Sequence, residues 1–270
     1  MKEQIKQMYL NGSTKMEIIK KFNLGNYTKL NYILNELGIL KENTNKNKIK
    51  LNDDVFDKID SEEKAYLLGF LSADGYILND GRTIGIALKR EDKYILEKFK
   101  EILEYEGEIK DYTAKTSYGI SEYSRLRFSS PKIYNFLKNF GFTNKKSYEF
   151  EPKIELIEYK YYRDFLRGYF DGNCCISIRI DKNNIERFNV HILGLKNIIK
   201  LFTDYFEFEK EYYLDQRKKD CKTLDIKFQK VSLVDEVLDG LYKNSTIYLK
   251  RKYDRYIKFK NTTYKKVVHI

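Results

Sequence analysis

Apolar residues recur at helical spacing in three short stretches at the start of the chain. Thr14 and Glu17 form a capping box ahead of the second stretch, and a turn-forming run at 23–26, which contains Gly25, separates the second stretch from the third. The apolar positions of the first two stretches are Ile5, Met8, Tyr9, Ile18, Ile19 and Phe22. Helix, short turn and helix is the plan of a helix-turn-helix, which we predict over residues 1–42.

The third helix of this module would present Lys29, Asn31 and Asn35 to a DNA major groove. An ordinary three-helix bundle, or a module that docks a protein, is the alternative. The residues that follow have no apolar period, and several lysines stand among them, as in KENTNKNKIKLN over 41–52. We therefore predict a basic linker over 43–59 that can lie along phosphates.

From about residue 60 the pattern changes, and the new pattern appears twice. The first copy predicts helices at 62–74, 92–105 and 131–140 and strands at 83–89, 107–115 and 122–129, with a short hairpin strand before 83. The second copy predicts helices at 160–173, 196–206 and 231–242 and strands at 175–181, 187–192, 210–217 and 222–229. Both halves follow the order α-β-β-α-β-β-α, so the predicted fold class is α+β, with tandem repeats over 60–155 and 156–270 that are related by a pseudo-twofold axis.

The predicted strands alternate between apolar and polar residues. Ile176, Ile178 and Ile180 point one way, which leaves a polar and largely cationic face on the other side of each sheet. The residues of these faces that we expect to contact DNA are Lys89, Arg125, Arg127, Ser177, Arg179, Arg187, Asn189, Arg217 and Lys227. A merely solvated surface is the alternative, but the excess of Arg and Lys favours a saddle of the size of a DNA duplex.

Composition supports a polyanionic partner only in part. The chain has 51 Lys and Arg against 40 Asp and Glu, a net charge of +11, which favours nucleic acid. An AT-rich genome would produce the same abundance of Lys, Asn, Ile and Tyr without any selection for binding. No apolar run is long enough for a membrane span, and the first residues lack the apolar centre of a signal peptide, so we expect a soluble protein inside the cell.

The few cysteines and histidines narrow the possible chemistry. Three cysteines, two of them adjacent at Cys174 and Cys175, fit reduced thiols better than a disulfide framework or a CxxC metal site. His191 and His269 are the only histidines. Histidine-rich metal sites, HNH-type nucleases and most Ser/His or Cys/His triads are therefore excluded, and carboxylates and lysines remain.

Two predicted helices carry a glycine in the same place, at Gly69 and Gly168, 99 residues apart. A glycine within a helix costs roughly 1 kcal/mol relative to alanine, and close approach of two helices would compensate for this cost. We therefore expect the two helices to pack against each other, with Asp74 close to position 173. Two carboxylates there could hold Mg²⁺ at the phosphates of opposite DNA strands.

The stretches LLGFLSADG, at 67–75, and LRGYFDGNC, at 166–174, resemble the two signature motifs of single-chain LAGLIDADG homing endonucleases. The resemblance covers about residues 60–260. It implies two αββαββα units with the motif helices at their interface, and antiparallel sheets that grip a long asymmetric site in double-stranded DNA. It further implies a monomer that cleaves DNA with a divalent metal, Mg²⁺, bound at the last acid of each motif. Many members from phages and introns carry an additional helix-turn-helix.

Carried over by position, the resemblance assigns catalysis and metal binding to Asp74 and to Asn173. The basic residues of the cleavage centre match Lys146 in the first copy, or its neighbour Lys145, and Lys250 in the second, or its neighbour Arg251. Asp171 matches an earlier acid of the motif that packs near the helix end, and Ser72 holds that place in the first copy.

Asn173 departs from the motif, because an amide cannot supply the negative charge that binds Mg²⁺ and acidifies its water. Three hypotheses follow. The protein is a sequence-specific endonuclease that nicks or cuts weakly, or a catalytically inactive LAGLIDADG-derived transcriptional regulator, or a protein in which an aspartate was replaced to trap a complex. RNA-splicing assistance of the maturase kind is possible for the fold, although no feature of the sequence indicates it.

Overall fold

Three helices make up the first unit of the computed structural model, which spans Met1–Lys48. They are α1 (Lys2–Leu10), α2 (Lys15–Phe22) and α3 (Tyr27–Glu36). The predicted capping box is present, since Thr14 accepts a hydrogen bond from the Glu17 N–H and Glu17 accepts one from the Thr14 N–H. The buried core of this unit comprises Ile5, Ile18, Ile19, Leu24, Leu30, Ile33 and Leu34. Residues 1–39, 49–117, 119–208, 213–215 and 222–267 are described.

The second unit, Ile49–Ile270, begins with one α/β repeat. Its elements are α4 (Glu62–Asp74), β1 (Tyr76–Ile77), β2 (Thr83–Lys89), α5 (Lys93–Ile102), β3 (Lys110–Thr116), β4 (Gly119–Ser129) and α6 (Pro131–Phe140), followed by the short α7 (Lys146–Glu149). The strands form an antiparallel sheet in the order β1-β2-β4-β3.

A second repeat of the same order follows. Its elements are α8 (Tyr162–Asn173), β5 (Cys175–Ile180), β6 (Glu186–Leu195), α9 (Lys196–Tyr205), β7 (Tyr213–Asp215), β8 (Thr223–Phe228) and α10 (Val231–Tyr242), followed by α11 (Lys250–Val267). Its sheet has the order β5-β6-β8-β7, again antiparallel. The predicted tandem αββαββα order is confirmed. Among the described helices, none is both long and apolar enough to cross a membrane.

Part of the segment predicted as a linker belongs to the second unit. Val55, Phe56 and Ile59 are buried in its core, and the backbone of Asn52 donates to the Leu103 carbonyl oxygen. Burial of these apolar residues fixes 49–59 against the first repeat. The preceding residues 40–48 lie outside the described part of the chain.

The strand registers place apolar residues of each sheet on one face. Ile84 lies opposite Phe128 and Val190 opposite Phe228, and all four are buried. Ile180 departs from the predicted apolar face because it lies at the end of β5, where 67% of it is exposed. The other face of each sheet carries polar residues and stays open.

The motif helices α4 and α8 cross in close contact at their glycines. A Cβ atom on Gly69 would lie 2.0 Å from the carbonyl oxygen of Phe165, and one on Gly168 would lie 2.1 Å from that of Tyr66. Each glycine thus meets the carbonyl three residues before the other glycine, as a pseudo-twofold axis requires. Only a residue without a side chain fits at either position.

A buried arginine ties the far ends of the two motif helices together. Arg167 has no exposed surface, and its guanidinium lies 2.7 Å from Glu62 of α4 and 2.8 Å from Asp164 of α8. It also donates to the Ile247 carbonyl oxygen at 2.9 Å, while Glu62 accepts the N–H of Thr246 at 2.7 Å. The charges are therefore paired and hydrogen-bonded, as a buried ion pair needs.

Candidate active site and nucleic-acid interface

The last turns of the two motif helices lie against each other. Helix α4 ends at Asp74 and α8 ends at Asn173. A Cβ atom on Gly172 would lie 2.3 Å from the Cβ of Ala73 and 3.5 Å from Oδ2 of Asp74. The fold therefore brings the last acid of the first motif to the end of the second motif helix.

Asp74 has a free carboxylate at this seam. No side-chain hydrogen bond or ion pair joins it to another described residue, and the residue is exposed to solvent. The protein packed around the carboxyl displaces enough water to raise its pKa, while the charges of Lys146, Lys252 and Arg251 oppose the rise. Both oxygens of Asp74 are thus available to a ligand.

The side chain of Asn173, unlike that of Asp74, makes hydrogen bonds to neighbouring residues. Its side-chain nitrogen donates to the Leu193 carbonyl oxygen at 3.0 Å and to the hydroxyl of Tyr169 at 3.3 Å. These bonds use the two N–H groups of the amide and leave only Oδ1 as an acceptor. The second position can therefore offer one neutral oxygen and no charge.

Two lysines cap the C-terminal ends of the motif helices. The ammonium of Lys146 donates to the carbonyl oxygens of Leu71, Ser72 and Ala73 at 3.1, 2.6 and 2.7 Å. In the second repeat, Lys252 donates to those of Phe170, Asp171 and Cys174 at 2.6, 2.8 and 2.5 Å. The carbonyl oxygens of Leu71 and Phe170 also accept a backbone N–H, from Gly75 and Cys174. Each lysine thus adds a donor at a helix end, where backbone donors run out.

Burial lowers the pKa of both lysines. It lowers the pKa of Lys146 to about 7, against the opposing effect of Asp74. It also lowers the pKa of Lys252, and there Asp171 opposes the change. With a pKa of about 7, Lys146 carries less charge near neutral pH than a lysine in water.

Lys250, the predicted basic residue of the second repeat, does not reach the helix ends. Its ammonium is exposed and pairs with Asp254 at 2.7 Å, within α11. Lys252 holds the inner position instead, on the helix face that also carries the buried Tyr256 and Phe259. The spacing of 252, 256 and 259 is a helical period, and this signal could have identified the inward-facing lysine.

Asp171 supports the site without being open to a ligand. It accepts hydrogen bonds from the hydroxyls of Tyr66 and Tyr242 at 2.8 and 2.6 Å and from the N–H of Leu249 at 2.7 Å. Burial raises its pKa, and the charge of Lys252 is the largest effect that opposes the rise. The network joins α4, α8 and α10 to the start of α11, and so fixes where Lys252 stands.

A contact between the repeats adds an acid, Asp92, and a third cation, Arg251, to the charges that act on Asp74. Nε of Arg251 lies 3.1 Å from the buried carboxylate of Asp92, just ahead of α5. Arg251 itself is half-exposed. Lys145, which precedes Lys146 as Arg251 precedes Lys252, is exposed. Sequence analysis missed Asp92, because its partner lies 159 residues further on.

The residues predicted to contact DNA divide into free and restrained side chains. Arg179 is exposed, Lys89 lies near Glu91, and Arg187 is paired with Asp181 at 2.8 Å. Asn189 is buried and donates to Ser177, while Lys227 lies across from His191, which contacts Asp225. In the first unit, Lys29 is exposed and Asn31 accepts a hydrogen bond from Lys15 at 2.8 Å. The side chain of Asn35 and the whole of Arg217 lie outside the described residues.

A cavity of about 280 Å³ opens beside the second position. Its lining includes Lys146, Tyr169 and Asn173 together with the aliphatic side chains of Leu195 and Ile198. The lining of this cavity thus contains a cation, Lys146, and an amide, Asn173, but no carboxylate. The two helix ends differ in the charge that they offer.

Comparisons with known proteins agree with this geometry. Residues 61–141 match the family model of the LAGLIDADG-like domain. The I-LtrWI LAGLIDADG homing endonuclease, solved bound to its target DNA, is similar with a TM-score of 0.50 and 12% identity, over 77% of this chain and 91% of that chain. The meganuclease I-SmaMI, solved bound to uncleaveable DNA, has a TM-score of 0.50 and 12% identity, over 74% of this chain and 90% of that chain. A search of curated protein sequences found no match. Residues 61–141, which include the first motif, thus contain a LAGLIDADG-like domain, and the chain has the LAGLIDADG endonuclease fold that the resemblance predicted.

Proposed function

We propose that this LAGLIDADG protein binds a long asymmetric site in double-stranded DNA and hydrolyses a phosphodiester bond there with the help of Mg²⁺, as a homing-type endonuclease. Asp74 supplies the metal-binding carboxylate for the strand that is cut. Asn173 leaves the other strand with no acid, so that strand is cut slowly or not at all.

The observation that carries this proposal is the state of Asp74. Its carboxylate lies at the seam of the motif helices, open to solvent, and has no hydrogen-bond or ion-pair partner among the described residues. Asp171 differs from Asp74, because its carboxylate already accepts hydrogen bonds from three donors. A free carboxylate with a raised pKa, surrounded by cations, is typical of a functional group and not of a structural acid.

The residues at the seam fit one Mg²⁺ ion. Mg²⁺ is usually held by one or two carboxylates together with phosphate oxygens and water. Asp74 offers both carboxylate oxygens, and Asn173 offers its Oδ1. Among the described residues, no three His, Cys, Asp or Glu side chains cluster into a metal site of their own, so DNA phosphate is needed to complete the ligands. When bound there, Mg²⁺ acidifies a water molecule and stabilises the leaving oxygen.

The other residues of the site hold Asp74 in place and keep it ionised. Lys146 binds the three carbonyls of the turn that ends at Asp74. The charges of Lys146, Lys252 and Arg251 favour the carboxylate form that metal binding requires. The cations on the open sheet faces neutralise DNA phosphates and orient the duplex over the seam.

A strand-specific cleavage assay tests the proposal. A duplex that the protein selects from a randomised library is labelled on one strand or the other and incubated with the protein in Mg²⁺ or in EDTA. We expect one Mg²⁺-dependent break, in one strand, which Asp74→Asn abolishes without loss of binding. Protection of the selected site with no break in either strand would refute the nuclease part of the proposal.

A second candidate function is that of a DNA-binding transcriptional regulator without nuclease activity. The hydrogen bonds of Asn173 favour it, because they make this residue part of the fold and not of a metal site. This function predicts binding that needs no metal and weakens with salt, with a slope of about 0.9 per phosphate contact. In the same assay it predicts protection and no break.

A further inference from the structure

Arg125 stands on the open face of the first sheet, away from both edges. It lies on β4, which pairs with β2 on one side and β3 on the other. Its partners across the strands are Ala87 and Lys110. Leu126 and Phe128, which alternate with it, are buried on the opposite face. A duplex lying along the sheet would present the floor of its groove to this strand, and its phosphates to the edges.

Tyr112 restrains the Arg125 guanidinium, and Tyr123 packs against Tyr112. Tyr112 and Tyr123 face each other across β3 and β4 with their rings stacked, 5.2 Å between centroids and 13° between planes. Cζ of Arg125 lies 4.3 Å from the centroid of the Tyr112 ring, and Nη2 donates to the Tyr112 hydroxyl at 2.5 Å. A cation–π contact and a hydrogen bond thus hold one orientation of a side chain that is otherwise rich in rotamers.

Arg127 provides an internal comparison. It lies two residues along the same strand, on the same face, opposite Gly85. Its guanidinium makes no hydrogen bond, ion pair or ring contact with the described residues, and the residue is exposed. The fold therefore leaves one arginine of this face free and orients the other.

The restrained group keeps the chemistry needed to recognise a base. A guanidinium has five N–H groups in a planar fork, and Arg125 uses one of them on Tyr112. The small, exposed Ala87 beside it leaves room for a base edge. In the major groove, O6 and N7 of guanine match two N–H groups of arginine, and an orientation fixed before binding lowers the entropic cost of that contact.

We propose that Arg125 recognises a guanine in the major groove of the DNA target, with Tyr112 as the positioning residue that holds its guanidinium and Tyr123 stacked against Tyr112. The proposal rests on the DNA-binding part of the proposed function and does not depend on cleavage. It applies to one half of the target, because the second sheet differs at this place. Asp225 stands three residues before the buried Phe228, as Arg125 stands three before the buried Phe128.

Selection of DNA by variants tests the inference. The full chain is mixed with a library of randomised duplexes in EDTA, so that no duplex is cut, and bound duplexes are sequenced. We expect the wild type to enrich guanine at one position, and Arg125→Ala to lose that preference by on the order of ten- to a hundredfold. Arg125→Lys keeps the charge but not the fork, and should lose the same preference. Tyr112→Phe should weaken it less and leave the affinity for unselected DNA unchanged.

Arg127→Ala is the matched control, and we expect it to lower affinity for all sequences alike. The inference fails if Arg125→Ala keeps every base preference. It also fails if Arg125→Ala weakens binding to all sequences equally and reduces the salt slope by about one, which is the result for a phosphate contact. A wild type that enriches no sequence overturns the proposed DNA recognition itself, whereas enrichment that is insensitive to Arg125 overturns this inference alone.

Discussion

Asn173 donates its side-chain amide to the carbonyl oxygen of Leu193, 3.0 Å away. A carboxylate has no N–H to donate and would be repelled by that oxygen, so an aspartate at 173 would have to turn away from Leu193. On the other side of the residue lies the seam with Asp74. Asn173 is thus held by a hydrogen bond that an aspartate at the same position could not make.

The first prediction is that Asn173→Asp supplies the missing acid. We expect cleavage of the second strand to rise on the order of a hundredfold, because a carboxylate adds the charge that binds the metal and acidifies its water. Single-turnover rates on duplexes labelled in each strand measure this change. Asn173→Ser, which supplies no charge, is the control, and a variant aspartate that leaves the second-strand rate unchanged would contradict the prediction.

The second prediction separates Lys252 from Lys250. Lys252→Met removes the ammonium that donates to three carbonyl oxygens at the end of α8 and leaves Asp171 without its cation, so we expect the free energy of unfolding to fall by about 3 kcal/mol. Lys250→Met, two residues away, removes only an exposed pair within α11 and should change stability little. Urea unfolding of both variants measures the difference. Equal effects would show that the cap on the second motif helix is not the reason Lys252 is buried.

The third prediction concerns the helix crossing. Gly168→Ala places a methyl group 2.1 Å from the Tyr66 carbonyl oxygen, so the backbones must separate, which costs about 2 kcal/mol or more. Glu63→Ala, at an exposed position of α4, should leave the protein close to wild-type stability. Thermal unfolding of the two variants gives the comparison, and an unchanged midpoint for Gly168→Ala would mean that the helices can move apart freely.

The fourth prediction is a dependence of stability on pH. The pKa of Lys146 in the folded protein is lowered to about 7, against about 10.4 for lysine in water. Between these values the unfolded chain binds more protons than the folded protein, so this group makes the free energy of unfolding rise as pH increases from about 7 to about 10. Below about pH 6 both states are charged and its contribution is constant.

Urea unfolding of the wild type and of Lys146→Met over this range checks the sign. The difference, wild type minus variant, should increase with pH. Lys145→Met, at the exposed neighbour, controls for the loss of one positive charge. A difference between wild type and Lys146→Met that stays flat from neutral to alkaline pH would show that Lys146 keeps an ordinary proton affinity.

The fifth prediction concerns the cation that the second repeat places near Asp74. Arg251→Ala should slow cutting of the Asp74 strand by about tenfold or more, since one oriented donor in a polar site has an effect of this size or larger. Asp92→Asn should slow it less, because the arginine keeps its charge and loses only its buried partner. Lys145→Ala is the matched change beside the other helix end. A drop in DNA affinity that accounts for all the lost activity would reassign Arg251 to binding alone.

Local patterns in the sequence predicted most of the fold. The glycines at 69 and 168, the capping box at Thr14 and the alternation of β5 predicted the helices, the order of elements and the repeat. They also placed Asp74 and Asn173 together, because both positions end equivalent helices. The resemblance indicated Lys146 or Lys145 in the first repeat and Lys250 or Arg251 in the second. It did not indicate Lys252, whose inward position follows from the phase of α11.

Contacts between distant elements could not be predicted in this way. The pairing of Asp92 with Arg251 depends on how the start of α11 meets the start of α5. The restraint of Arg125 depends on the register that sets Tyr112 opposite Tyr123. Both contacts depend on how elements far apart in the sequence pack together, so no spacing between nearby residues predicts them.

The buried Arg167 makes the association of the two repeats directional. Its carboxylate partner Glu62 lies on α4, and the corresponding position of the second repeat is Tyr161, just before α8. Leu68 stands on α4 where α8 has Arg167. Two copies of the second repeat brought together would bury two arginines without a Glu62 to pair with them. Two copies of the first repeat would have no arginine at this position. A symmetric homodimer of either half is therefore penalised, and the two halves are complementary partners at this contact.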